Sequence, residues 1–155
     1  MAPQAMEDDT QVEAAPLLLY AVKQVELAVR AHLDELLRPT GITALQYTAL
    51  TVLDRRDGLT SAELARNSFV TPQAMRDLVT TLEKRELITR RHDPAHRRRL
   101  LIALTPAGQA LLSDTRDDVA ALEERMLGGL SSAERHAFRD YLNRARTALA
   151  GGPAQ

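Results

Sequence analysis

The 155-residue chain contains no cysteine and only two lysines, Lys23 and Lys84, among its 20 basic residues. It also has no uncharged apolar run of the roughly 18 residues a membrane helix needs. Without thiols, disulfide scaffolds, thiolate metal sites and cysteine redox switches are excluded by chemistry. Glu7, Asp8 and Asp9 stand where a secretory signal would carry basic residues, so a cytoplasmic protein without a membrane partner is expected. No phosphate-binding glycine loop, nucleotide fingerprint or Gly-x-Ser-x-Gly elbow is found, and no spacing pairs a nucleophile with a base. Neither enzymatic activity nor a cofactor is expected. His92, Asp93 and His96 come nearest to a metal set. They fall in a loop that lacks the rigid frame a transition metal requires, and His32 and His136 have no partner at ligand spacing. No metal is expected. The scarcity of lysine carries no weight of its own, because the chain is also rich in alanine and a GC-rich coding sequence produces both biases.

What is present describes one domain, residues 1–155, long enough to bury about two-thirds of its unfolded surface. At 45% hydrophobic and 26% charged residues the chain cannot be disordered throughout. Only about 14 N-terminal residues and the tail from Gly151 are expected to lack order. The net charge of −1 hides an uneven distribution. Residues 84–99 hold seven basic groups (Lys84, Arg85, Arg90, Arg91, Arg97, Arg98, Arg99) against Glu86 and Asp93, a local +5. Such a stripe on an otherwise acidic body is either a polyanion site or a solvated loop, and its surroundings decide.

Helix starts are legible. Thr43-Ala-Leu-Gln46, Thr60-Ser-Ala-Glu63 and Ser131-Ser-Ala-Glu134 fit the capping box, in which a hydroxyl and a Glu or Gln satisfy each other's backbone amides. Thr71-Pro72 and Thr105-Pro106 place a capping hydroxyl before a proline at the first helical position. Ile42 with Tyr47, Leu59 with Leu64 and Val70 with Met75 have the spacing of hydrophobic staples. Pro16 opens an earlier helix that stops near Arg38, and Gly128-Gly129 divides the last two. Between helices, Ile88-Thr-Arg-Arg91 and Leu100-Leu-Ile-Ala-Leu104 flank the turn-prone His92-Asp-Pro-Ala95, which describes a small hairpin. The expected fold is mainly α with one β-hairpin.

The helix over 61–66 and the next over 72–85 are joined by residues 67–70, the helix-turn-helix spacing. Met75, Leu78, Val79 and Leu82 form one buried stripe of the second helix. Its other face carries Thr71, Gln73, Ala74, Arg76, Asp77 and Thr80, slim or hydrogen-bonding groups of the kind that fit a major groove and reach base edges. The spacing alone suits many helical proteins equally well. The hairpin adds weight, because its arginine-bearing loop follows this helix directly, as a wing reaching phosphates or a narrow minor groove would.

From Leu59 to Gly108 the chain resembles the winged helix-turn-helix of the MarR family of bacterial transcription regulators. The resemblance rests on Glu63-Leu-Ala65, Leu78-Val-Thr-Thr-Leu-Glu-Lys-Arg85, Asp93-Pro-Ala-His-Arg-Arg98 and Leu104-Thr-Pro-Ala-Gly108. It implies a recognition helix in the major groove and Arg98, seven residues before Thr105, in the minor groove. Arg97 matches a position that is often basic, and Arg99 completes the wing cluster. Two positions depart from the family pattern. Glu86 stands where the recognition helix usually ends on glycine, so it either adopts positive φ or changes the helix end. His96 replaces an aspartate that can orient the arginines, leaving a wing that is more mobile or gains charge below neutral pH.

Leu18, Val22, Val25, Val29, Leu33 and Leu36 near the start, and Phe138, Tyr141, Leu142, Ala145 and Leu149 near the end, make apolar faces too broad for peripheral helices. Part of this is ordinary core, and the rest suits a homodimer through residues 16–38 and 109–150 around a reading lobe at 43–108. Two-fold symmetry then implies a pseudo-palindromic operator in double-stranded DNA. The resemblance further implies a ligand-responsive repressor whose effector is a small aromatic or anionic molecule, with His32 and Tyr47 as candidate lining residues. For each the alternative is ordinary surface or core. The rival function is a winged helix used for protein–protein contact without operator binding. The +5 stripe argues against it, since protein interface cores are depleted of charge.

Overall fold

A computed structural model describes residues 17–68 and 70–150 of the protein. The elements are α1 (Leu18–Leu37), a 3₁₀ turn (Arg38–Thr40), α2 (Ala44–Arg55), α3 (Ser61–Ser68), α4 (Pro72–Lys84), β1 (Ile88–His92), β2 (Leu100–Leu104), α5 (Pro106–Leu127) and α6 (Ser132–Leu149). The class is the expected one, mainly helical with a two-stranded antiparallel hairpin. Pro16 and both expected disordered ends lie outside the described residues. Among the described residues no helix is long and apolar enough to cross a membrane.

The capping hydroxyls set the helix starts. Thr43, Thr60, Thr71, Thr105 and Ser131 each accept from the amide three residues on. Gln46, Glu63 and Glu134 complete the capping boxes by accepting from the cap amides. Helix ends were less legible. Asn67 and Ser68, expected in the connector, belong to α3. Asn67 Nδ2 donates to the Glu63 carbonyl and the Val70 amide to that of Ala65, so the last turn closes later. The connector shrinks to residues 69–71. His92, expected in the loop, is the last residue of β1, opposite Leu100.

The core lies within the lobe. Leu37, Leu50, Leu53, Leu64, Met75, Leu82, Ile88 and Ile102 are fully buried, and they come from α1, α2, α3, α4 and both strands. Met75, Val79 and Leu82 are the buried stripe of α4, with Leu78 half-buried beside them. The hairpin is anchored at its middle. The Gly58 amide donates to the Ile102 carbonyl (3.1 Å) and the Ile102 amide to that of Leu59 (2.7 Å).

Two backbone details shape the junctions around the hairpin. Glu86 adopts φ +59°, and the Leu87 amide donates back to the Leu82 carbonyl, so α4 ends in the left-handed manner that glycine usually provides. Thr105 Oγ1 donates to the Glu86 carbonyl at 2.6 Å and pins this turn to the start of α5. There, Gly108 is in close approach: a Cβ at this position would stand 2.2 Å from the Leu87 carbonyl oxygen. Any side chain would push α5 off the hairpin.

The outer helices contrast with the lobe. Among the described residues α1 buries only Leu37, and α6 buries none. Of the apolar residues singled out near the start, Val29, Leu33 and Leu36 are half-buried against the chain, whereas Leu18, Val22 and Val25 are exposed. Tyr141, Leu142 and Leu149 are exposed on α6.

Candidate nucleic-acid interface

Thr71, Gln73, Ala74, Arg76, Asp77 and Thr80 are all exposed and share the face of α4 opposite the Met75–Val79–Leu82 stripe. Two are coupled: Arg76 Nη2 donates to Gln73 Oε1 at 2.6 Å. The pair presents one joined donor and acceptor surface. Thr80 Oγ1 donates to the Arg76 carbonyl, and Thr71 Oγ1 caps the helix while its own proton stays available. No large apolar side chain stands on this face.

The wing tip is a tightly turned loop. The Asp93 amide donates to the Arg99 carbonyl, the Arg99 amide to that of His96, and the His96 amide to that of Asp93. Asp93 Oδ1 accepts from the Ala95 amide, and His92 Nδ1 lies 2.8 Å from the Arg97 carbonyl, which can only accept. His92 Nδ1 is therefore the donor in this contact. These bonds engage two of the three groups considered for a metal. Asp93 also supplies a carboxylate oxygen 3.9 Å from Arg99 Nη1.

The basic stripe divides into two sets. Arg90 grips Glu83 of α4 through two bonds, Nε to Oε2 at 2.8 Å and Nη2 to Oε1 at 2.9 Å. Arg91 lies 3.7 Å from Asp57, and Arg99 Nη2 donates to Glu63 Oε1 of α3 at 3.0 Å. Arg85 donates to the Thr40 carbonyl. Lys84, Arg97 and Arg98 have no carboxylate within salt-bridge distance among the described residues. The local excess of +5 is therefore partly offset by carboxylates of neighbouring elements. Arg99, grouped with Arg97 and Arg98 by sequence, differs from them in its contacts to Glu63 of α3 and to Asp93. Arg97 and Arg98 remain exposed at the tip.

The braces leave an electrostatic signature. Arg90 beside Glu83 holds that carboxyl below its ordinary pKa, and Glu83 in turn raises that of Arg90. Glu63 is also held low, first by the Thr60 amide it caps and further by Arg99. Sequence reasoning missed these braces, because each partner lies in a different element. The signal that could have found them is a half-buried acidic residue on each of α3 and α4, Glu63 and Glu83.

The candidate effector residues are not brought together. Tyr47 lines a cleft of about 260 Å³ between α2 and α5, with Thr51, Asp54 and Arg116 among its walls. Burial raises the Tyr47 pKa, opposed by the neighbouring Thr115 hydroxyl and Arg116. It remains a neutral phenol near neutral pH. His32 is exposed on α1 and is not among the residues lining this cleft.

A MarR-family sequence model matches residues 40–99, from the end of the 3₁₀ turn through the wing. The HTH-type transcriptional repressor Rv2887 of Mycobacterium tuberculosis is 35% identical over 132 residues, covering 84% of this chain and 93% of the relative. The chain belongs to the MarR family. Among solved MarR-family structures, that of Mycobacterium tuberculosis Rv2887 with p-aminosalicylic acid is similar at a TM-score of 0.67 and 32% identity, covering 84% of this chain and 98% of that one. The S. aureus MepR–DNA complex is similar at a TM-score of 0.77 and 25% identity, over 87% and 100% of the two chains.

Proposed function

We propose that this MarR-family protein is a sequence-specific DNA-binding repressor that works as a homodimer in the cytoplasm and is released from a pseudo-palindromic operator by a small aromatic acid. The observation that carries the reading is the division of the basic stripe. Arg90 and Arg99 lock the hairpin to α4 and α3, while Arg97 and Arg98 stay unpaired at its tip. The slim face of α4 and the wing thus form one rigid reader. Thr71, Gln73, Ala74, Arg76 and Thr80 would meet the major groove, Arg98 the minor groove, and Arg97 the backbone. Arg99 would contribute to DNA binding through the wing's position. The reading assigns binding and no enzymatic step.

The dimer reading rests on the uncovered apolar faces of α1 and α6. Moving a large aliphatic side chain from water into an interface contributes about 1.5–3 kcal/mol, and Leu18, Val22, Val25, Leu142 and Leu149 all await such cover. Residues 16–38 and 109–150 would thus serve as dimerisation helices and 43–108 as the reading lobe. The α2–α5 cleft supports an aromatic acid as effector. Tyr47 offers a phenol and an aromatic wall, Arg116 a cation, and the related Rv2887 binds p-aminosalicylic acid. His32 would belong to this site only through the dimer.

Fluorescence anisotropy on duplex DNA from the protein's own promoter tests the reading. Tight binding that weakens steeply with salt, by several counterions per dimer, is expected, with weak binding to a shuffled duplex. An intact dimer without salt-sensitive binding at low micromolar protein would favour a protein-contact role instead.

A further inference from the structure

Away from the reading face, the end of α2, the last turn of α3 and the C-terminal half of α6 border a second, open cleft of about 310 Å³. Its walls are Val52, Arg55, Arg56, Asn67, Asn143 and Arg146. Three arginines and two asparagines, all exposed, line it, and no carboxylate does. None of the three arginines has an acidic partner within salt-bridge distance among the described residues, although Arg90, Arg91, Arg99 and Arg135 do. The acidic residues nearest in sequence are engaged elsewhere: Asp54 lines the Tyr47 cleft, and Asp57 lies beside Arg91. Like charges gathered in a concavity repel one another unless an anion joins them.

We propose that this cleft is a binding site for a small phosphate-bearing anion that bridges the reading lobe to the C-terminal helix. A carboxylate would neutralise one of three cations. A phosphate dianion presents three acceptor oxygens, which planar guanidinium forks engage in pairs. The Asn67 amide donates to the Glu63 carbonyl at 2.8 Å, which leaves its Oδ1 and second N–H for a ligand. The space exceeds one phosphate group and suits a diphosphate or an organic phosphate. The site's position gives it a consequence. Because α6 buries no residue of its own, an anion held by Arg146 on one wall and by Arg55 and Arg56 on the other would fix the lobe against that helix. In a two-fold dimer that angle sets the spacing of the two recognition helices. That consequence rests on the proposed dimer, whereas the binding itself is tested without DNA, so failure of the one is distinguishable from failure of the other.

Isothermal titration of the full-length protein with inorganic pyrophosphate provides the test, alongside Arg146→Ala, Arg146→Lys and Arg55→Ala. One pyrophosphate per chain is expected, weakened roughly tenfold by either alanine variant and partly retained by lysine. Arg146 is exposed on a helix, so its variants should melt with the parent. Hydrogen exchange should slow on both walls, at 143–147 and at 55–58, when pyrophosphate is added. Binding that survives both alanine substitutions, protection of one wall only, or no binding at millimolar pyrophosphate would overturn the proposal.

Discussion

Helices α4 and α6 are both amphipathic, yet α4 buries Met75, Val79 and Leu82 completely while α6 buries nothing. The same contrast runs through the molecule. The lobe closes most of the core and ties Arg90, Arg91 and Arg99 to carboxylates of neighbouring elements, whereas α1 and α6 keep Leu18, Val22, Tyr141 and Leu149 in water. An apolar stripe with its counterpart in the same chain becomes core. One without a counterpart stays exposed, and in the proposed dimer it is where the second chain would dock. In that proposal the lobe folds by itself and would read a single half-site.

The sharpest way to break this contrast is to charge the outer helices. Leu142→Asp with Val22→Asp should convert the dimer to monomer in analytical ultracentrifugation and weaken operator binding by roughly a hundredfold or more, while the lobe stays folded. A dimer that survives both changes would show that these faces are merely exposed. Within the lobe, Gly108→Ala should be the most damaging single methyl. The Leu87 carbonyl has no room for it, so a loss of about 2–4 kcal/mol in urea unfolding is expected. Arg98→Ala should cost about 1–3 kcal/mol of operator affinity and leave the melting temperature unchanged, because its side chain supports no other part of the fold. Unaltered affinity would reject its place in the groove.

Smaller effects sharpen the picture of the junctions. Glu86→Gly removes a side chain from a left-handed position and should stabilise the chain by about 1 kcal/mol, read by the same unfolding assay. The braces predict an acid-sensitive component. Glu63 and Glu83 have folded pKa values below the ordinary 4.5, so their contribution is present in full above about that pH. It is lost as pH falls through the folded values. Both carboxylates are partly solvated, so the effect on stability should be a few tenths of a kcal/mol. Glu83→Gln should flatten that part of a melting-temperature profile taken between about pH 6 and pH 3.

The parts legible in the sequence are those governed by contacts three or four residues apart. The five capping hydroxyls, the α4 stripe and the two strands of the hairpin stand where local chemistry puts them. The illegible parts depend on distant partners. The Arg99–Glu63 brace joins residues 36 apart, so a charge count over 84–99 treats Arg99 and Arg98 alike. The close approach of Gly108 to Leu87 is likewise a tertiary fact. The end of α3 escaped because no residue stops it: Ser68 and Asn67 are as much at home in a final turn as in a loop.

The most direct test of the rigid-reader account is the salt dependence of operator affinity in the parent and in Arg97→Ala/Arg98→Ala. Removing two unpaired cations per chain should flatten the slope of log K against log salt by roughly 2–4 for the dimer, and it should lower affinity at every salt concentration. An unchanged slope with unchanged affinity would mean that the wing tip does not touch DNA, and the account would fail.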